Sequence, residues 1–185
     1  VLLNKYDLAD SDKTQAWKNW YEKQGAFVTL VNSKSGQGVK NVTAIVQEAC
    51  KEKIERDRRR GIINRPVRAM IVGIPNVGKS TFINRLVGKK VTNVGNKPGV
   101  TKKLEWIRIN DKVELLDTPG ILWPKLDEEE VAYNLASMTA IKEEVLDSED
   151  IAIYIIKKLL SDYPDNIINR YSLTKIEDIV DILDE

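Results

Sequence analysis

The sequence predicts an α/β fold with a mostly parallel sheet over residues 1–126, followed by a small all-helical region over residues 127–185. Three observations carry that reading. Short apolar runs alternate with amphipathic stretches along the first part of the chain, the pattern of strands joined by crossover helices. A glycine-containing run, Gly73-Ile74-Pro75-Asn76-Val77-Gly78-Lys79-Ser80, follows one apolar run and opens a helix, as a phosphate-binding loop does. From Asp127 on, the apolar residues keep only helical spacing.

Taken in order, Val1-Leu2-Leu3 reads as the end of a buried strand closing at Asn4. Ser11–Lys23 reads as a helix capped by Ser11 or Asp12. Residues 26–31 (AFVTLV) form the next strand, closed by the polar segment 32–38. Residues 39–60 are expected as one long helix, because Val42, Ile45, Val46 and Ala49 recur at helical spacing. That helix ends in Arg56-Asp57-Arg58-Arg59-Arg60-Gly61. Residues 65–73 (RPVRAMIVG) are a strand and Lys79–Val87 a helix. Residues 104–109 and 112–116 pair as a hairpin turned at Asn110-Asp111. Residues 151–156 (IAIYII) follow a Ser148 cap and put Ile151, Ile155 and Leu159 on one face, so they read as helix.

Composition narrows the function. With 42% apolar and 31% charged residues the chain suits a globular domain and not a disordered one. No apolar stretch approaches the roughly 20 residues of a membrane span, and Val1-Leu2-Leu3-Asn4 lacks the charged start of a signal peptide. Cys50 stands alone, so no internal disulfide can form, which suits the cytoplasm. The absence of His removes His-based general-base catalysis. Net charge is +1, yet residues 1–120 carry 23 Lys+Arg against 12 Asp+Glu, and residues 121–185 carry 6 against 16. A basic block of this size points to an anionic partner, nucleic acid first, or to uneven surface charge alone.

The run 73–80 fits G-x-x-x-x-G-K-[ST] in the strand–loop–helix context the motif needs. Backbone N–H groups from Asn76, Val77, Gly78, Lys79, Ser80 and Thr81 turn toward the phosphates, aided by the helix N-terminus. Lys79 reaches the β- and γ-phosphates, and the Ser80 hydroxyl is a hard ligand for Mg²⁺. Asp117-Thr118-Pro119-Gly120 ends the second hairpin strand. Asp117 there would hold Mg²⁺, and the Gly120 N–H would touch the γ-phosphate. Asn4-Lys5-Tyr6-Asp7 fits N-K-x-D. The Asp7 carboxylate accepts from the N1–H and amino group of guanine and leaves adenine unmatched, which opposes an ATPase. Asn4 can reach guanine N7, and the Lys5 stem can cover the ring. Asn32-Ser33-Lys34 ends the next strand and is similar to the S-A-K loop of GTPases, with Ser33 in the place of the N–H that meets guanine O6.

These motifs resemble those of translation-factor-related GTPases in circularly permuted order, with the N-K-x-D strand first. Together with Asn96-Lys97-Pro98-Gly99-Val100-Thr101 and with Leu116 to Pro124 (LDTPGILWP), the chain resembles the ribosome biogenesis GTPase A family over essentially its whole length. The resemblance implies a cytoplasmic GTPase that binds GTP, GDP and Mg²⁺ and acts late in assembly of the bacterial large ribosomal subunit. It implies contact with ribosomal RNA and ribosomal proteins, stimulation of hydrolysis by the ribosomal particle, no membrane and a monomer. A signalling or membrane-associated GTPase is the alternative, opposed by the basic block and by the lack of a lipidation motif.

The resemblance also assigns Thr101 as the switch residue whose hydroxyl binds Mg²⁺, so that Lys79, Thr101 and Gly120 form the catalytic set. Where many GTPases place a water-orienting Gln, this chain has Ile121, so intrinsic hydrolysis is expected to be slow. Asn76 either caps the turn or, as in GTPases that it resembles, supplies an amide oxygen to a K⁺ ion beside the phosphates. In the unpermuted order one strand lies between the P-loop strand and the N-K-x-D strand. Only Val1-Leu2-Leu3 precede Asn4, so the chain is expected to be a fragment lacking that strand. A separation of roughly 10 Å, two strand spacings, is then expected between residues 1–3 and 67–73.

Overall fold

A computed structural model describes residues 1–93, 95, 104–122, 126–141 and 146–172. The chain divides into two compact units, Val1–Leu122 and Trp123–Glu185, a division a few residues before the expected 126/127 boundary.

Among its described residues the first unit holds five strands in two sheets. Strand β1 (Leu2–Asn4) pairs in parallel with β2 (Thr29–Val31). Strand β3 (Val67–Ile71) pairs in parallel with β5 (Val113–Asp117), and β4 (Glu105–Arg108) runs antiparallel on the other side of β5. Among the described residues four α-helices accompany them: α1 (Ser11–Lys23), α2 (Val42–Ala49), α3 (Lys51–Arg59) and α4 (Lys79–Val87). Among the described residues no ladder joins β1 to β3, and residues 151–156 lie in a helix. Neither arrangement that would contradict the expected separation is therefore found.

One core serves both sheets. Phe82 and Ile83 of α4 pack in a cluster with Val31, Val39 and Val42 from the β2–α2 side and with Ile107, Val113 and Leu115 from the hairpin. The helix that opens at the phosphate loop is thus the common wall of the unit, so burial of its apolar face fixes where the loop sits.

Several expectations are corrected. The stretch 39–60 is not one helix: a 3-10 turn (Val39–Asn41) leads into α2, and the chain bends at Cys50 before α3. The apolar face of α2 ends at Ala49, and Ile54 is the one strongly apolar residue of α3, so nothing holds the second half to the direction of the first. Helix α1 is capped by Asp10, whose carboxylate accepts from the Asp12 and Lys13 N–H groups at 2.9 Å, and not by Ser11 or Asp12. Strand β2 is three residues long because its partner β1 is. The hairpin turns as expected, with Asn110 Oδ1 accepting from Lys112 and Val113 N–H groups at 2.9 and 3.0 Å.

The second unit contains α5 (Glu129–Ser137), α6 (Ser148–Asp162) and α7 (Pro164–Tyr171) among its described residues. Helix α6 is capped by Asp147 rather than Ser148, for the same reason as α1. Leu135, Ile156 and Ile167 are buried, and Tyr133 stacks on Tyr154 with centroids 5.0 Å apart. No described helix is long and apolar enough to cross a membrane.

Candidate nucleotide site

Three loops that are distant in sequence meet at one side chain. Asn4 Nδ2 donates to the Val77 carbonyl at 2.8 Å, tying the N-K-x-D loop to the phosphate loop. Asn4 Oδ1 accepts from the Ser33 N–H at 3.2 Å and from the Ser33 hydroxyl at 2.9 Å. Both lone pairs of the amide oxygen are therefore used, and one amide proton remains for a base nitrogen. Lys5 reinforces the tie by donating to the Asn76 carbonyl at 3.0 Å. Gly78 has φ +96°, and a Cβ there would meet Asn4 Nδ2 at 2.5 Å. Glycine is thus required at Gly78 both by its backbone conformation and by the approach of Asn4.

The base-side residues fall as follows. Lys5 has φ 58° and leads into a 3-10 turn (Tyr6–Leu8) that carries Asp7. Asp7 is exposed and makes no hydrogen bond or ion pair with a described residue. Asn32 Oδ1 accepts from the Lys34 and Ser35 N–H groups at 3.0 and 2.9 Å, shaping the second base-side loop. The Ser33 N–H expected to face guanine O6 is directed instead at Asn4. Ser33 is 5% exposed, so its N–H and hydroxyl need an acceptor, which Asn4 Oδ1 supplies.

On the phosphate side, Gly78 opens α4, and the Phe82 N–H is the first to bond back, to the Gly78 carbonyl at 2.9 Å. The N–H groups of Lys79, Ser80 and Thr81 thus sit in the first turn, without intrahelical acceptors. Lys79 Nζ donates to the Gly73 and Ile74 carbonyls, both at 2.9 Å, across the mouth of the loop. Asn76 has φ 59°, a left-handed conformation that Asn tolerates well.

Asp117 ends β5 and is 1% exposed. Burial pushes its carboxyl above the ordinary value, opposed by the Lys79 ammonium and the Thr118 N–H and reinforced by Glu105. Burial likewise pulls the Lys79 ammonium down, opposed by Asp117. Asp117 Oδ1 is buried and has no hydrogen-bond partner among the described residues. An orphaned buried carboxylate oxygen costs about 1–3 kcal/mol or more, and a cation or its water would relieve it, so the donor set of Asp117 and the Ser80 hydroxyl fits a hard divalent ion. Among the described residues no cluster of three or more acidic or Cys side chains forms a separate metal site. Thr118 holds the turn after β5 by donating to the Ile71 carbonyl at 2.7 Å. Beyond it, Ile121 N–H donates to the Gly73 carbonyl at 3.3 Å, while the Ile121 side chain is 66% exposed. Thr101 and the rest of segment 96–103 lie outside the described residues.

Two positioning contacts have no counterpart in the sequence motifs. Asn84 Oδ1 accepts from the Val91 and Thr92 N–H groups at 2.8 Å, and its Nδ2 donates to the Thr92 carbonyl at 2.9 Å. The Thr92 hydroxyl also lies 3.2 Å from the Ser80 carbonyl, so the chain leaving α4 is pinned to the turn that carries Ser80. Arg85 donates to the Ser35 carbonyl, bracing the second base-side loop against α4. A polar Asn and an Arg late in an otherwise apolar helix face were the signal available for both.

The family model described as 50S ribosome-binding GTPase matches residues 68–183. Ribosome biogenesis GTPase A of Priestia megaterium is 47% identical, over 100% of this chain and 65% of that protein. The Bacillus licheniformis protein of the same name is 45% identical over 100% of this chain and 66% of that protein. The crystal structure of GNP-bound YlqF from T. maritima aligns with a TM-score of 0.57 and 26% identity, over 95% of this chain and 67% of that one. A GDP-bound structure of TM YlqF gives 0.56 and 26%, over 95% and 69%. The chain spans just under two thirds of the length of these curated relatives. The chain belongs to the 50S ribosome-binding GTPase family and is similar along its whole length to ribosome biogenesis GTPase A proteins.

Proposed function

We propose that the protein is a Mg²⁺-dependent GTPase acting on the large ribosomal subunit precursor in the cytoplasm. The observation that carries this reading is the double tie made by Asn4, to Val77 of the phosphate loop and to Ser33 of the second base-side loop. It joins a guanine-selective loop and a phosphate loop into a single site.

In that site the Asp7 carboxylate accepts from guanine N1–H and the amino group, the remaining Asn4 amide proton meets N7, and the Lys5 stem covers the ring. First-turn N–H groups of α4 and the Lys79 ammonium hold the phosphates, exchanging the Gly73 and Ile74 carbonyls for phosphate oxygens. Ser80, Asp117 and Thr101 would hold Mg²⁺, which supplies charge neutralisation on the β- and γ-phosphate oxygens. The Gly120 N–H contacts the γ-phosphate and transmits its loss to the turn after β5. Ile121 has no polar atom with which to orient water, so intrinsic turnover is slow and the ribosomal particle stimulates it. Asn76 would contribute its amide oxygen to a K⁺ ion, which would supply positive charge beside the phosphates. The protein works as a monomer.

Single-turnover GTP hydrolysis with and without large-subunit particles tests the reading. Stimulation by particles, with co-sedimentation stronger in a non-hydrolysable GTP analogue than in GDP, is expected. Equal rates and equal sedimentation in both nucleotides would overturn it.

A further inference from the structure

We propose that the surface formed by α3, the following residues 60–65 and Arg68 binds RNA through its phosphates. This deepens the ribosomal reading above and rests on it for the identity of the RNA, though the charge argument stands by itself. Residues 51–68 carry eight Lys+Arg against three Asp+Glu, while the rest of the chain carries 21 against 25. Residues 1–50 and 69–120 carry 15 Lys+Arg against 9 Asp+Glu, so positive charge is denser in this 18-residue segment than in the rest of the basic block.

Six of the eight cations are displayed and not spent, while Lys51 pairs with Glu48 at 3.8 Å and Arg68 with Glu114 at 3.1 Å. Lys53, Arg56 and Arg60 recur at i, i+3 and i+7, one stripe along about 10 Å of helix axis. On the adjoining side, Lys53, Arg58, Arg65 and Arg68 line a cleft between α3 and the loop, with Val67 and Ile54 also in its lining. Lys53, Arg56, Arg58, Arg59, Arg60 and Arg65 are exposed, and none makes an ion pair with a described residue. Glu52 and Glu55 stand four residues before Arg56 and Arg59, the spacing for helical ion pairs, yet those pairs are not made. One or two cations in the last turn would complement the helix dipole. Four, from Arg56 to Arg60, repel one another and call for an external anion.

The kind of anion follows from the residue types. Six of the eight cations are Arg, whose planar fork pairs with phosphate bidentately. At the far end of the cleft the Arg68 guanidinium lies 5.1 Å from the Trp106 ring centre, and Trp106 is half exposed. Arg68 Nε is paired with Glu114 at 3.1 Å, so what this end adds is the indole, a flat face for a base beside the unpaired cations of α3, which suits RNA better than a lipid headgroup.

The test compares two triple variants of the protein. Lys53→Gln/Arg56→Gln/Arg60→Gln removes three exposed cations far from the core residues, and unchanged Tm and GTP affinity verify its fold. Lys23→Gln/Lys89→Gln/Lys112→Gln removes the same charge elsewhere. Binding to a short ribosomal RNA hairpin is measured as a function of salt. The first variant is expected to bind at least about tenfold more weakly at physiological salt, with the slope of log K against log salt reduced by about two. The second should change less than about twofold. Unchanged binding by the first variant, or an equal loss in both, overturns the proposal. So does a first variant that keeps the hairpin but loses phosphatidylserine vesicles, which would make the surface a membrane contact. Sedimentation with large subunits separates the two readings. A parent that binds the hairpin through this surface but not the particle removes the ribosomal reading and leaves the RNA surface standing. A parent that binds the particle, with a first variant that keeps both hairpin and particle, removes the surface alone.

Discussion

A Cβ placed on Gly120 would lie 2.6 Å from the Pro75 Cα. The turn after β5 is therefore laid backbone to backbone on the phosphate loop, and the Ile121–Gly73 hydrogen bond holds it there. Gly120→Ala forces two main chains apart, a contact that no side-chain rotation relieves. Overpacking of this kind costs about 1–3 kcal/mol, or roughly 2–4 °C in Tm per kcal/mol for a chain of this size. Calorimetry should show that drop, and Mg²⁺-dependent GTP turnover should fall with it as Asp117 moves from Ser80. Unchanged Tm and turnover would contradict the packing argument.

Asn4→Ala removes three hydrogen bonds that join three loops. It should weaken GTP and GDP alike, because the tie orders the site before any γ-phosphate is sensed. A loss of about 1.5–3 kcal/mol, roughly tenfold to a hundredfold in Kd, is expected. Isothermal titration checks it, and a variant selective for one nucleotide would contradict the common-tie role.

Asp117 links the site to pH. Burial raises its carboxyl above the ordinary 3.8, so the folded protein holds this proton more tightly than the unfolded chain does. Its contribution to stability is full below the unfolded value and is lost as pH rises through the raised folded value. At neutral pH the nucleotide-free protein carries the whole penalty. Asp117→Asn, which cannot ionise, should then melt higher than the parent without Mg²⁺ and nucleotide, and the difference should shrink as pH falls toward 4. Addition of Mg²⁺ and GTP should stabilise the parent alone. Melting curves that coincide at every pH would contradict the buried-charge account.

Much of this architecture is legible in the sequence because its signals are local. Helix α4 follows Gly78 and ends before Gly88 with its bounds as read, and the Asn110 turn names the hairpin. What local pattern misses is set by contacts between distant residues. The bend at Cys50 arises where the apolar face of α2 runs out. The role of Ser33 depends on Asn4, 29 residues away, and the Asn84–Thr92 clamp exists because α4 and the chain leaving it are packed side by side. Asp10 caps α1 one or two residues before the Ser11 or Asp12 that the sequence suggests, and Asp147 caps α6 one residue before Ser148, since the capping carboxylate precedes the first helical residue.

The K⁺ proposal has its own comparison. Hydrolysis should be faster in K⁺ than in Na⁺ at equal ionic strength, and Asn76→Ala should narrow the difference, because it removes an amide oxygen from the cation. The left-handed Asn76 backbone is less comfortable for Ala, so Asn76→Gly serves as the second variant. Identical salt responses in the parent and both variants would leave Asn76 a turn residue only.

The central claim, that this is a guanine-nucleotide site, is tested most directly by exchanging the base preference at Asp7. Asp7 is exposed and makes no bond to a described residue, so Asp7→Asn should leave the fold and Tm intact. The amide donates where xanthine O2 accepts, and it loses the acceptor pair that guanine N1–H and the amino group require. Competition binding should show the variant weakened for GTP and strengthened for xanthosine triphosphate, a reversal of preference on the order of tenfold or more in each direction. A variant that binds GTP as the parent does, with no gain for xanthosine triphosphate, would contradict the account.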